Sequence, residues 1–575
     1  MSASSPPPIP EHLRRFVVEQ DYSAYDAVDQ AVWRFVLLQL SSRLGGRAHP
    51  AYSRGLAETG ISVDRIPSIA EMNEKLSRFG WGAVCVDGFV PPRAFQEFQA
   101  HGLLPIAGEI RTRGHLVYTP APDIIHEAAG HAPILPDPTY AAYLRRIGQV
   151  GARAFTLPAD SAVHDATYRL SEIKEDPSAT AEQIAGAEAG LEAALAGAVQ
   201  ISEAARLSRL YWWTAEYGLV GTPADYRLYG AGLLSSLGES HACHSPEVRK
   251  LSLDEGCLDV AFDITRQQPQ LFVVPDFEAL HAVLERVERE LAAVRGGAAA
   301  LSAALASREL ATFAFDSGAQ ALGVLAHVEG EGSAPAWLEL SGPAGFAFDR
   351  KLVSRIGGSA GARTLVLAGR LASGERLDEL SGPELARRAA SGLLRLDFAS
   401  GARVQGRLER CLNARDGGGT FALELLDARV ERGGTVRVLP RFSLLAAGAF
   451  VGAEPGACDP AFHPPAEPSK VRVPRPRSVA FAEFGLRRAF AEVARVKSGP
   501  DATAESLFAT IERLLARDHP REWLLRFVML EDLTRRGLVG PLVDELRSQL
   551  ERLEVEYAYE QPIASGLEYL ARRVA

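Results

Sequence analysis

Two histidines five residues apart, with a glutamate directly after the first, stand in YTPAPDIIHEAAGHAPIL (Tyr118–Leu135). Both residue types ligate metals. A zinc-protease helix places its histidines at i and i+4, on one face. Here they are His126 and His131, about 140° apart on an ideal α-helix. Pro122 and Asp123 suit a helix start, with Asp123 as a cap. Gly130 can loosen or end the helix, so that His131 swings back towards His126. Two imidazoles leave a metal short of ligands. The best third donor is Glu216 in RLYWWTAEYGLV (Arg209–Val220). A carboxylate buried in so apolar a run is costly without a partner, and a metal would supply one. Two neutral imidazoles and one carboxylate form a facial triad with open positions, the arrangement of non-haem Fe(II) oxygenases. A zinc hydrolase built on the HExxGH string is the competing reading, and it needs a polarised water instead of O2.

These residues need elements to carry them. The chain has 575 residues, which implies two to four domains. Residues 1–20 read as a Pro/Ser-rich disordered tail. Residues 21–297 read as mainly α. AYDAVDQAVWRFVLLQLSSRL carries apolar residues at three- and four-residue steps, and DFEALHAVLERVERELAAV is an amphipathic helix. The Gly/Ala-rich RGGAAALSAALAS marks a boundary. From 308 to 462 short alternating runs such as TLVLAGRL, FALELLDARV and TVRVLP predict a β-rich domain, a small barrel or sandwich. A Pro-rich linker over 463–478 follows, and 479–575 return to a helical period.

Composition narrows the function classes. Apolar residues make up 47% and charged residues 23%, as in a soluble globular protein. A net charge of −10 argues against an extended nucleic-acid footprint. The basic run KVRVPRPRS reads as a solvated linker. Five irregularly spaced cysteines make no disulfide framework, which fits a reducing cytoplasm. The N-terminus lacks a signal peptide's apolar core, and no run is long and apolar enough to span a membrane. The HACH string (His241–His244) reads as structural or exposed rather than metal-binding.

Taken together, YTPAPDIIHEAAGHAPIL, YWWTAEYGL, YGAGLLSSLGES and QPQLFVVPDFEAL occur in the order found in the pterin-dependent aromatic amino acid hydroxylases. The chain resembles that family, in its bacterial form, from about Tyr22 to Val294. The resemblance implies a catalytic domain over 21–297, interrupted by an insertion at about 155–205 that reads as a surface helical hairpin. It implies Fe(II), a tetrahydropterin of the tetrahydrobiopterin type, and O2 as co-substrate. His126, His131 and Glu216 match the iron ligands. Glu127 matches an acid near the pterin, and Phe95 an aromatic that stacks on it; a helix-start acid and a core phenylalanine are the plain alternatives. Arg111 falls at the arginine that holds the substrate carboxylate, with Arg113 left open two residues on. Thr119, Pro122, Trp212, Tyr217 and Gly232 match positions lining the amino-acid pocket. Ser235 matches a pocket hydroxyl that hydrogen-bonds an iron-ligating histidine, a catalytic supporting role.

The implied reaction is hydroxylation of an aromatic amino acid, with the second oxygen of O2 leaving on the pterin. Trp212 is usual in phenylalanine and tyrosine hydroxylases, and apolar Ile264 speaks against tyrosine. Phenylalanine 4-hydroxylation in phenylalanine catabolism is the reading favoured, with tryptophan as the alternative. Pterin-recycling enzymes are implied as partners, and the oligomeric state is open. No role emerges for 308–575.

Overall fold

The computed structural model describes residues 5–88, 90–117, 119, 122–176, 179–264, 267–330, 332–356, 363–413, 420–445, 448–463, 481–497, 499–557 and 561–574. The Pro-rich linker and the basic run therefore lie outside the described residues, apart from His463.

The expected disordered tail is corrected from residue 11 onward. Glu11–Phe16 form a 3₁₀ turn. Leu13 is buried against Val84, Val86, Ala94, Phe98 and Leu103. His12 Nε2 lies 2.6 Å from Glu97 Oε2. Ile9, Phe16 and Val17 pack on the same cluster, and the Val18 amide donates to the Cys85 carbonyl at 2.9 Å.

The helix Ala27–Leu44 starts at a capping box: Asp26 accepts from the Val28 and Asp29 amides, and Asp29 accepts from the Asp26 amide. Its sequence period suggested one buried face. In fact Ala31–Leu40 are buried with the single exception of half-buried Arg34. A helix apolar all round must be covered all round, and the cover comes from the far end of the chain. Helices Phe481–Val496, Asp501–Asp518, Leu524–Arg535, Pro541–Glu556 and Ile563–Val574 share one continuous hydrophobic core with residues 31–291. Phe35 sets its ring edge-on to Trp523 and Phe527, at 5.1 and 4.8 Å. Arg34 pairs with Glu531 at 2.8 Å. Leu524–Leu533 are all buried, so their helix is the centre of this bundle. Its fully buried Arg526 is neutralised by Glu512 at 2.9 Å.

Between these ends lie the elements that carry the candidate site. Parallel strands Gly82–Val86 and Leu103–Ala107 are bridged by the helix Pro92–Ala100. A four-stranded sheet runs in the order Tyr226–Leu228, Leu219–Gly221, Gln270–Val274, Arg249–Ser252. Helices Pro158–Glu175 and Ala181–Gly197 pack on each other within the expected insertion.

Residues 310–455 form two antiparallel sheets. One has the order Lys351–Ile356, Trp337–Phe348, Ala319–Glu329, Leu310–Phe315, Phe450–Pro455, with Arg363–Leu367 also pairing to Trp337–Phe348. The other runs Leu394–Asp397, Arg403–Asn413, Thr420–Arg432, Thr435–Leu445. Two apolar cores hold them, and each draws residues from both sheets: Ala422 and Leu445 join the first sheet's Phe313 and Leu340, while Trp337 and Leu365 join the second sheet's Leu425 and Val430. The Gly/Ala-rich boundary segment is a helix, Gly297–Ser307, whose Ala300, Leu301 and Ala304 pack into the first sheet's core. Among the described residues no helix is long and apolar enough to cross a membrane.

Candidate metal centre

Ile125–His131 is a π-helical turn. A turn closed by i→i+5 hydrogen bonds holds more residues than an α-turn, so residues five apart come round to the same side. This is how His126 and His131 converge, and it corrects the expectation that Gly130 ends or loosens the helix. Gly130 serves packing instead. A Cβ there would lie 2.8 Å from the Ala231 carbonyl oxygen, so glycine permits close approach of the helix Ala231–Ser235. A second π-turn, Trp212–Glu216, ends on the third candidate ligand.

One ligand atom from each of His126, His131 and Glu216 lies within 4.8 Å of the others. Glu216 Oε2 is 3.2 Å from His126 Nε2, and Oε1 is 3.0 Å from His131 Nε2. The imidazole rings meet at 87° with centroids 5.0 Å apart. Ser235 Oγ donates its single proton to the Ala231 carbonyl at 2.7 Å. It must therefore accept from His126 Nδ1, 3.0 Å away. That fixes the tautomer and leaves Nε2 free to ligate. Two nitrogens and one carboxylate oxygen, converging in a buried pocket, fit a divalent iron.

The charges agree with a cation site. Burial alone would raise Glu216, but the imidazoles of His131 and His126 hold its carboxyl far below the usual range. Burial lowers His126, but Glu216 outweighs it and pushes the imidazole up to about 9. Beside them Glu127 is raised to about 7 by burial. Its Oε2 is buried and has no hydrogen-bond partner. An orphaned acid at this position suits a group that brings its own N–H, as a reduced pterin ring does.

The remaining candidates surround this centre. Phe95, on the helix Pro92–Ala100, sets its ring edge-on to Tyr211 at 5.6 Å, and Tyr211 lies 6.4 Å from the His131 ring. Trp212 stacks between Tyr217 (4.6 Å) and Phe262 (4.3 Å, 10°). A Cβ on Gly232 would strike the Tyr217 ring at 2.8 Å. Phe262 escaped sequence reasoning because no motif contains it. Thr119 and Pro122 are half-buried on the segment leading into the first π-turn.

The two candidate arginines have different partners. Arg111 is buried and holds Asp123 bidentately, at 2.8 and 2.9 Å, while its Nη1 donates to the Ser235 carbonyl at 3.3 Å. Asp123 also accepts from the His126 amide at 3.0 Å, so it both caps the turn and aims the arginine. Arg113 faces elsewhere and pairs with Glu522. The HACH histidines are outside the cluster: His241 is exposed, and His244 stacks on Tyr226.

Glu239 is a further buried acid that the motifs left unnoticed. Burial raises it to about 7, against hydrogen bonds from the Gln268 backbone and the Tyr217 side chain. Its native carboxyl therefore keeps a proton that the unfolded chain releases near 4.5. Native stability accordingly falls as pH rises from about 4.5 to 7, by about 3 kcal/mol from this group. Glu239→Gln is expected to flatten that part of the stability–pH curve, read by urea denaturation across the range. An unchanged slope would show that Glu239 ionises normally.

The sequence relatives agree with this geometry. The model of the biopterin-dependent aromatic amino acid hydroxylases matches residues 19–159 and 182–293, passing over 160–181, which hold most of the insertion's first helix. A phenylalanine-4-hydroxylase of Ralstonia nicotianae is 32% identical over 268 residues, 46% of this chain and 72% of that protein. One from Mesorhizobium japonicum is 30% identical over 286 residues, 49% of this chain and 86% of that protein. Among solved structures, Chromobacterium violaceum phenylalanine hydroxylase with bound iron(III) and 7,8-dihydrobiopterin is 29% identical. It covers 48% of this chain and 85% of its own, with a TM-score of 0.38. On the two sequence relatives and the matched model, this chain belongs to the biopterin-dependent aromatic amino acid hydroxylase family.

Proposed function

We propose that this protein is a phenylalanine 4-monooxygenase that uses Fe(II), a tetrahydropterin and O2. The observation that carries the reading is the convergence of His126, His131 and Glu216 beside the orphaned Glu127, in a chain of this family. The relatives named above as phenylalanine-4-hydroxylases favour phenylalanine over tryptophan. A zinc hydrolase has no support from them.

When bound, iron and reduced pterin together supply the O2 activation that hydroxylates the ring. The chain's own residues do the rest. His126, His131 and Glu216 would hold the metal. Ser235 keeps the proton of His126 on Nδ1. Glu127 would accept from the pterin and, raised by burial to about 7, can hold or yield a proton near neutral pH. Phe95 offers the pterin an aromatic face. Arg111, aimed by Asp123, receives the substrate carboxylate, while Ser235, Thr119 and Pro122 line the amino-acid end. The Phe262–Trp212–Tyr217 stack, with Gly232 against it, forms a flat apolar wall for the phenyl ring. A wall excluding water also protects the reactive stage of the cycle.

The organisation supported is a catalytic domain over 21–297, a β-rich unit over 308–462 and a helical segment over 479–575 that completes the catalytic core. The sparse, free cysteines support a cytoplasmic location, and the family's cofactor supports reliance on a pterin-recycling enzyme. The test is turnover of Fe(II)-loaded protein with tetrahydropterin and O2, offering phenylalanine, tryptophan and tyrosine side by side. Tyrosine formed from phenylalanine, faster than any other product and in step with pterin oxidation, is expected. Faster tryptophan hydroxylation would overturn the substrate assignment. Bound iron with no pterin oxidation would overturn the reaction.

A further inference from the structure

We propose that Glu522, in the C-terminal helical bundle, is a positioning residue for the amino-acid pocket and acts through Arg113. The kinetic half of this inference rests on the hydroxylase reading; the structural half does not.

Arg111 and Arg113 are two residues apart and have opposite fates. Arg111 turns inward to Asp123 and Ser235. Arg113 opens the 3₁₀ turn Arg113–His115 and reaches across to Glu522, 409 residues away in sequence. The Glu522 side chain is 7% exposed and Arg113's is 37% exposed, so the pair is shielded mainly on the bundle side. Glu522 is itself held firmly. Its Oε1 accepts from the Leu525 amide at 3.2 Å at the start of the central helix. Its carbonyl accepts from the buried Arg526 guanidinium. The adjacent Trp523 is packed on Phe35.

The segment that Arg113 belongs to is thereby fixed at three points. At one end the Arg111 amide and side chain bond to Asp123. At the other the Val117 carbonyl accepts from the Gly238 amide at 3.1 Å and the Ser236 hydroxyl at 3.2 Å, next to Ser235. Between them the turn is closed by the His115 amide to the Thr112 carbonyl at 2.9 Å and buries Leu116, and the bundle supplies the third polar anchor at Arg113. A charge as buried as Glu522 favours a fixed partner over water, so the contact restrains the turn rather than merely decorating it. Misplacing a carboxylate-binding arginine weakens substrate capture. Pterin binding involves other elements and is expected to be spared.

Glu522→Gln tests this in the full-length protein, because glutamine keeps the oxygen that accepts from Leu525 and removes only the charge. Two readouts are needed. Amide hydrogen exchange at 113–117 is expected to accelerate about tenfold, with exchange in the Leu524–Arg535 helix unchanged; loss of one charge-assisted bond is worth roughly that factor. The KM for phenylalanine is expected to rise about five- to tenfold, with kcat and the pterin KM nearly unchanged. Arg113→Gln should behave alike. If Arg113 instead bound the substrate directly, Arg113→Gln would raise the KM for phenylalanine far more than Glu522→Gln does, and that overturns the proposal. Unchanged exchange in folded Glu522→Gln, or an equal rise in the pterin KM, overturns it as well. Should Glu522→Gln fail to fold, exchange in Arg113→Gln decides by the same criterion. Accelerated exchange in a protein that never turns over phenylalanine would refute the reaction and leave the anchor standing.

Discussion

His131→Ala is expected to abolish iron binding and hydroxylation while the fold survives. His131 supplies one of three donors, and its Nε2 already faces Glu216 at 3.0 Å. Without it, His126 and Glu216 offer only two. Altering partners one shell further from a metal already costs about 10–100-fold in affinity or activity, so loss of a ligand should exceed the upper end of that range. The fold should tolerate the change. Glu216 contacts both imidazoles, and His126, 3.2 Å away, remains to pair with it. The small helix behind the site is held by Gly130 against Ala231, which the substitution leaves alone. Iron content by metal analysis and helix content by circular dichroism are the measurements. Full iron stoichiometry in a folded variant would sink the triad; loss of helix would show that His131 is structural.

Phe35→Ala is expected to destabilise the catalytic core and the C-terminal bundle together, by about 3–5 kcal/mol. Phe35 is buried between Trp523, Phe527 and Gly566, so alanine leaves a cavity walled by the last hundred residues. A bundle that were an independent domain would unfold in its own transition and leave iron binding untouched. Shared burial of the helix Ala27–Leu44 predicts one transition for both. The check is urea denaturation followed in parallel by helix circular dichroism and by retained iron. Two separated transitions, with only the iron-free one shifted, would show that the bundle is an appendage. The same contact explains why Glu522 can act on the site: α-helical cover of one helix brings a distant acid beside the pocket.

How much of this could be read beforehand varies by residue. His126, Glu127, His131 and Glu216 were legible because ligand chemistry restricts residue types and the motifs stand in a fixed order. The helix Phe277–Glu290 and its Asp276 cap were legible because both depend on neighbouring residues. The π-turn was not legible: an i→i+5 ladder has no residue signature, and five-residue spacing suggested a broken α-helix. Burial of Ala31–Leu40 was misread for another reason. Apolar residues on every face mark a covered helix, but they do not say what covers it.

The sequence by itself determined the donor set, the chemistry that set permits and the family to which its motifs belong. Those are matters of residue type and order. The tertiary structure alone decided the tautomer of His126, the different partners of Arg111 and Arg113, the third member of the aromatic stack, and the union of the last helices with the catalytic core. Each of these depends on groups far apart in the chain meeting in space. Local residue preferences carry no information about such meetings until burial of apolar surface has brought the segments together.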